Sequence, residues 1–274
     1  MRSHSRIAPP RTAVLAVLFA AACAIPVTAV KAADYTFRIE PAYPPERVQE
    51  IYAPLMTYLG KATGQHFTLV TVRNYHFYWR DVQNGAKADF AFDEAHLADY
   101  RIQHAHFEPL VRTAEKTSYT LVSNIDIGNK GANGLVGHTI VTMAAPSLGY
   151  ALLVEFYSNP VLQPDILSTA TSWRDAVDRV FGGEADAAII PTSLKDQYPN
   201  LTPVKTSRPF AGQCLSASPT VPADVRDKVR EALLKLDTDP EASKLLFELG
   251  VTKFVPASAK EYENAQQMLN AFLK

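Results

Sequence analysis

The stretch KADFAFDEAH, Lys87 to His96, ends an apolar run on two adjacent carboxylates and a histidine, Asp93, Glu94 and His96. Such side chains can hold a cationic group, ligate a metal or carry protons. Asp-Glu-x-His offers ligand-type atoms without a specific metal spacing, and acids in a first helical turn also complement the helix dipole. Three readings therefore stand open: a cap with a favourable first-turn charge, a contact to a positive group on a ligand, or a metal shared with His96. The phrase returns about a hundred residues later as EADAAIIPTS, with Asp186 in the place of Asp89, and ends on Pro191, Thr192 and Ser193 instead.

A second candidate is APSLGYALL, Ala145 to Leu153. Pro146 and Ser147 open a helix whose first backbone N–H groups lack intrahelical partners, so Ser147, Gly149 and Tyr150 lie where an anion would be attracted. The alternative is that Ser147 caps its own helix. Aromatic residues supply the third signal, through Tyr43 in EPAYPP and Tyr75 in NYHFYW. An aromatic plate with a few aimed polar groups suits a small-molecule cleft. His104 and His106 read as residues of a solvated loop. There is no G-x-S-x-G elbow, H-E-x-x-H helix, phosphate-binding or dinucleotide glycine pattern, or supported Cys-His pair, so no catalytic residue is expected.

Two series of alternating elements must position these groups. Tyr35, Phe37 and Ile39 alternate as a strand; Val48, Ile51, Tyr52, Leu55 and Leu59 mark one face of a helix ending near Gly64; a strand follows over Phe67 to Val72. A helix from Tyr75 to the Asn84-Gly85 stop and a strand over Ala88 to Phe92 complete the first series. After the Gly-rich connection DIGNKGANGLVG, strands at Thr139 to Met143, Ile166 to Ala170 and Ala185 to Ile190 alternate with helices at Ser147 to Tyr157 and Ser172 to Phe181. This order is that of two α/β lobes with mostly parallel sheets. In such sheets ligands bind beyond the carboxyl ends of the strands, so Glu40, Tyr43, Asn74, Tyr75, Asp93, Glu94 and His96 of one lobe would face Ser147, Gly149, Tyr150, Thr171, Ser172, Thr192 and Ser193 of the other. From Ala223 onward three helices are expected to return to the first lobe, with crossings near Thr117 to Leu121 and Ser207 to Leu215.

The chain begins with a basic start, an apolar run from Ala13 to Ala24 and a small-residue exit, which reads as a secretory leader over 1–32. Cys23 in AAAC offers lipid attachment as an alternative, although Ala20 stands where Leu is more usual. No later stretch approaches the ~20 apolar residues of a membrane helix. Leader removal takes four of the 27 Lys and Arg residues and none of the 28 acids, leaving 23 against 28 and a net charge of −5. An acidic chain argues against a nucleic-acid partner. Cys214 then has no disulfide partner and reads as a small buried hydrophobe or a free thiol.

YAPLMTYLGKATGQHFTLVTVRNYHFY, NGAKADFAF, LVGHTIVTMAAPSLGY, SWRDAVDRVFGGEADAAIIP and VPADVRDKVREALLKLDTDPEASKLLFELGVTKF together resemble the phosphonate-type (PhnD-like) periplasmic solute-binding proteins of ABC importers. The resemblance spans nearly the whole chain after the leader. It implies the α/β, two-lobed type II periplasmic binding fold, with lobe 1 formed by 33–118 plus 215–274, lobe 2 by 119–214, and two hinge crossings. It further implies a periplasmic monomer that closes on a small polar, phosphonate-like or zwitterionic solute and delivers it to an ABC permease, with no cofactor and no enzymatic activity. A ligand sensor docking on a membrane histidine kinase, or a metal-binding protein, are the alternatives. In that family the second-lobe helix opens with a Ser/Thr run that grips phosphonate oxygens, here reduced to Ser147-Leu148-Gly149. The family's small, Gly-containing loop with a nearby Tyr is replaced by Asp93, Glu94 and His96. Both departures point away from a bare oxyanion toward a ligand with cationic or hydrogen-donating character.

Overall fold

The computed structural model describes Met1, residues 32–240 and residues 242–273. The expected leader, with Cys23, lies outside the described residues. The first series comprises β1 (Asp34–Ile39), α1 (Pro45–Thr63), β2 (His66–Val70), α2 (Tyr75–Gln83), β3 (Phe90–Asp93), α3 (Ala95–Ala105) and β4 (Glu108–Thr113). The chain then passes through β5 (Tyr119–Ser123), α4 (Ile125–Gly128), β6 (Thr139–Met143), α5 (Leu148–Phe156), β7 (Asp165–Ala170), α6 (Trp173–Phe181), β8 (Ala187–Pro191), α7 (Thr192–Lys195) and β9 (Thr202–Thr206). It closes with β10 (Cys214–Ala217), α8 (Ala223–Leu234), α9 (Ser243–Leu249) and β11 (Phe254–Pro256).

Local rules account for the principal elements. Pro45 opens α1 with a preset φ and no N–H to satisfy, and Gly64 closes it in the left-handed region at φ 71°, its N–H reaching the Gly60 carbonyl. Between them, the apolar face running from Val48 to Leu59 is buried as its helical spacing predicts. Asn74 and Ser172 cap α2 and α6 by accepting from the N–H groups of Phe77 and Asp175.

Two sheets result, ordered β11-β4-β10-β3-β1-β2 and β7-β6-β8-β5-β9. Apart from β11 they share one plan: β1, β2, β3, β10 and β4 correspond to β6, β7, β8, β5 and β9. In each, three parallel strands are joined by an antiparallel one from beyond a crossing. The repeated aspartates do the same job in both sheets. Asp89 accepts from the backbone N–H of Thr36 in β1 at 2.7 Å, and Asp186 from that of Thr139 in β6 at 2.8 Å, so each pins the first strand of its unit to the start of the third.

The crossings pair through a Thr117–Phe210 antiparallel bridge. One apolar core, including Phe37, Leu55, Phe90 and Val229, lies under the first sheet. The second is continuous from Leu121, Ile140, Leu152 and Ile189 to Tyr75, Tyr78 and Leu97 of the first series, so packing joins the two halves on the α2–α3 side. Where a third C-terminal helix was expected over Tyr262 to Leu273, there are two 3₁₀ segments, Ala259–Glu261 and Ala265–Phe272, preceded by β11. Asn264, at φ 71°, interrupts any continuous helix between them. Among the described residues no helix is long and apolar enough to cross a membrane.

Candidate functional site

β1 and β3 are parallel neighbours with Ile39 opposite Phe92, so the residues just beyond them emerge side by side at the carboxyl edge of the sheet. Successive side chains along a strand face opposite ways, and this separates the two acids at the end of β3. Asp93 turns to the helical side, where its carboxylate takes the Arg101 Nε at 2.7 Å and the Tyr78 hydroxyl at 2.5 Å. Arg101 also donates to the Tyr78 hydroxyl and lies against the rings of Tyr78 and Phe107. This is a sealed ion pair: both partners are at most 5 % exposed. Glu94 turns the other way, toward a cleft between the sheets.

That cleft is a cavity of about 540 Å³. Glu40, Ala42, Tyr43, Tyr52 and Glu94 line it from the first half; Thr113, Glu115 to Tyr119 and Gln213 from the crossings; and Trp173, Arg174, Pro191, Ser193, Leu194 and Gln197 from the second half, with Leu249 to Val251 at one end. Its floor carries two buried carboxyls. Glu40 accepts on both oxygens, from the Glu94 backbone N–H at 3.0 Å and from Gln213 Nε2 at 2.7 Å. Glu94 accepts the Tyr119 hydroxyl on Oε1 at 2.6 Å, while its Oε2 is buried without a hydrogen-bond partner. Burial pushes Glu94 up to about 7, against the Tyr119 hydrogen bond and with a smaller push from the charge of Asp93. Glu40 is raised well above the usual carboxylate range by burial first, then by the charges of Glu94 and Asp93. The Tyr75 hydroxyl, buried and unpartnered, senses both carboxyls: burial raises it most, followed by Glu40 and Glu94.

The other sequence-derived candidates fall in different places. His96 is buried; a carbonyl only accepts, so its Nε2 carries the proton donated to Pro146 O at 2.9 Å, across from one half to the other. Burial keeps this imidazole neutral by lowering it to about 4. Ser147 is fully buried and caps α5, accepting from the Tyr150 N–H and bonding to the Met143 carbonyl, both at 3.3 Å. Tyr150 packs on Phe272. Thr192 receives the Ser118 hydroxyl at 2.9 Å and shares a hydrogen bond with Thr120.

Gly149 touches the cavity at one remove, because a Cβ there would lie 2.9 Å from Trp173 Cη2. Its bare backbone lets the indole lie against α5 and reach the cavity, where it meets Tyr119 edge to face at 5.2 Å. Of the nine candidates, Tyr43 and Glu94 thus line the cavity, Gly149 and Tyr75 border its lining, and Asp93, His96, Ser147, Tyr150 and Thr192 lie behind or beside it. Among the described residues, no group of three or more His, Cys, Asp and Glu side chains is placed to hold a metal. Glu40 was legible only as a strand-end residue. Tyr119 and Gln213 carry no local sequence signal of the site, and Tyr52 reads only as part of the apolar face of α1; Trp173 and Arg174 follow the cap Ser172, so the strand-end rule places them at the cleft.

A family model described as "ABC transporter, phosphonate, periplasmic substrate-binding protein" matches residues 37–262, which take in the second half of β1, the other parallel strands of both sheets and the residues lining the cleft. The chain belongs to this family. Solute binding outside the cytoplasm, as the substrate-binding component of an ABC transporter, is accordingly its function. Solved structures show the same type II fold. PhnD1 of Prochlorococcus marinus, in complex with methylphosphonate, superposes with a TM-score of 0.74 at 12 % identity, over 87 % of this chain and 98 % of that one. A binding-protein component of an ABC phosphonate transporter from Pseudomonas aeruginosa gives 0.73 at 18 % identity, over 86 % and 85 %. A Xanthomonas citri protein bound to ATP gives 0.71 at 15 %, over 88 % and 99 %. No curated protein sequence matches the chain.

Proposed function

We propose that the chain captures one compact polar solute in the cleft between its halves, closes over it and hands it to a membrane permease without altering it. The observation that carries this reading is the 540 Å³ cavity, lined from both halves and from the crossings, with aromatic walls and two buried carboxyls at its floor. Lobe 1 then comprises 33–118 and 215–274, lobe 2 comprises 119–214, and the Thr117–Phe210 bridge lies on the bending axis. The working form is a monomer in the periplasm after loss of the leader.

Two features favour a donor-bearing or zwitterionic solute over a bare oxyanion. The first turn of α5 has its serine committed to capping and its approach covered by His96, while the polar groups that do reach the cavity floor are carboxyls and an amide. Lys116 and Arg174 stand among the lining residues as partners for an anionic end.

The test is a thermal-shift screen of phosphonates, phosphate esters, amines, amino acids and metal ions, followed by small-angle scattering with the best stabiliser. A solute that binds only the folded state raises the melting temperature by mass action, and here it should also shrink the particle. Stabilisation by no solute in the screen, or by one that still acts after the cleft is blocked with Ser193→Trp, contradicts the reading.

A further inference from the structure

We infer that the inner end of the cleft is a cation subsite, in which Glu40 and Glu94 receive the ammonium group of the solute beside the packed rings of Tyr119 and Trp173. This rests on the solute-capture reading and gives the captured molecule a chemical class.

A carboxylate oxygen shut away from water with no donor is costly, and the cost is relieved when a partner arrives. Glu94 Oε2 is such an oxygen. Among the described residues, the donors that reach the pair are Gln213 and the Glu94 N–H on Glu40, and Tyr119 on Glu94 Oε1. The cationic side chains are elsewhere. Arg101 is fixed on Asp93, Arg174 on Gln197 and Tyr198, and Lys116 is exposed at the cavity wall. Among the described residues, no cationic side chain is hydrogen-bonded to either acid of the pair.

The Tyr75 hydroxyl is an independent sign. It is buried, unpartnered and close enough to both carboxyls to feel their charge, so it is a spare donor or acceptor beside the same spot. The walls fit the same guest, because the faces of Trp and Tyr rings attract cations. An ammonium nitrogen supplies both the hydrogen that Glu94 Oε2 lacks and the charge that offsets the burial of the pair. A phosphonate oxygen in this position would face two carboxyls. The guest must enter while the halves are apart, since the Tyr119 hydroxyl held on Glu94 comes from the second sheet.

The experiment pairs each ammonium with its hydroxyl counterpart. Melting temperature is measured against ethylamine and ethanol, and against putrescine and 1,4-butanediol, with methylphosphonate as the anionic arm, all at millimolar concentration, in the wild type, Glu94→Gln and the Glu40→Gln/Glu94→Gln pair. A saturable rise of several degrees with the amines alone is expected, reduced at least tenfold in apparent affinity in Glu94→Gln and absent in the double variant. Tyr157→Phe, which removes a hydrogen bond to the Ala132 carbonyl away from the cavity and keeps both carboxyls, should retain the response and serves as the control for altered folding. Equal shifts from the diols, or a response to methylphosphonate only, would overturn the cation subsite and leave solute capture standing. No shift with any amine also overturns it; if the wider solute screen is equally silent, solute capture falls with it.

Discussion

The ends of β3 and β8 are the same place in two copies of one plan, and they have been filled in opposite ways. Each strand is preceded by an aspartate that pins the neighbouring strand, Asp89 on Thr36 and Asp186 on Thr139. Beyond that shared anchor, β3 ends on two carboxyls, one sealed against Arg101 and one turned to the cleft. The β8 end carries hydroxyls, with Thr192 tied to Ser118 and Thr120. A scaffold aspartate is therefore repeated because the sheet needs it, whereas the residues four to seven positions later differ because they face different tasks. At the first end the division is sharper still: the adjacent acids Asp93 and Glu94 leave the strand end on opposite sides, which pairs one with Arg101 and turns the other into the lining of the cleft.

The largest expected effect breaks that division from the structural side. Asp93→Ala leaves Arg101 as a buried charge without its carboxylate and should cost about 3–5 kcal/mol in urea unfolding. The cleft acid should behave oppositely. Glu94 titrates near 7 in the folded protein against an ordinary 4.5, so the folded state holds that proton more tightly than the unfolded chain. Its contribution to stability is complete below about 4.5 and is lost as the pH rises through 7. Glu94→Gln should therefore stabilise the empty protein well above pH 7, by on the order of 3 kcal/mol, while weakening solute binding. His96 pulls the other way: with its pKa lowered to about 4, its contribution is present above 6.5 and fades as the pH falls toward 4. The difference between the wild-type and Glu94→Gln curves of stability against pH isolates the acid.

On the second half, Gly149→Ala should displace the Trp173 indole and cost about 1–3 kcal/mol, with a shift in tryptophan emission and a loss of affinity. Ser147→Ala should be smaller, about 1 kcal/mol from the lost cap, with affinity unchanged. An affinity loss in Ser147→Ala without a stability loss would return the start of α5 to the binding surface.

Much of this plan is readable in the chain itself. Alternation in Tyr35, Phe37 and Ile39, the helical spacing from Val48 to Leu59, and the caps Asn74 and Ser172 are local signals, and the local structure obeys them. The antiparallel strands β5 and β10 are harder to read because their four or five residues acquire strand form only by pairing with partners about 70 to 120 positions away. The site shows the same limit. Asp93 and Glu94 are equally acidic and adjacent; only the presence of Arg101 and Tyr78 behind one face, and of Glu40, Gln213 and Tyr119 before the other, tells them apart. Ser147 carries both of its readings in sequence, and its burial against Met143 and Tyr150 is a property of the packed helix.

The most direct test is a crystal structure of the protein with the amine that stabilises it best. The account predicts an amine nitrogen about 3 Å from Glu94 Oε2, beside Glu40 and next to the Tyr119–Trp173 ring pair, with Asp93 still on Arg101. A solute bound elsewhere, or an anionic group occupying that position, would contradict it.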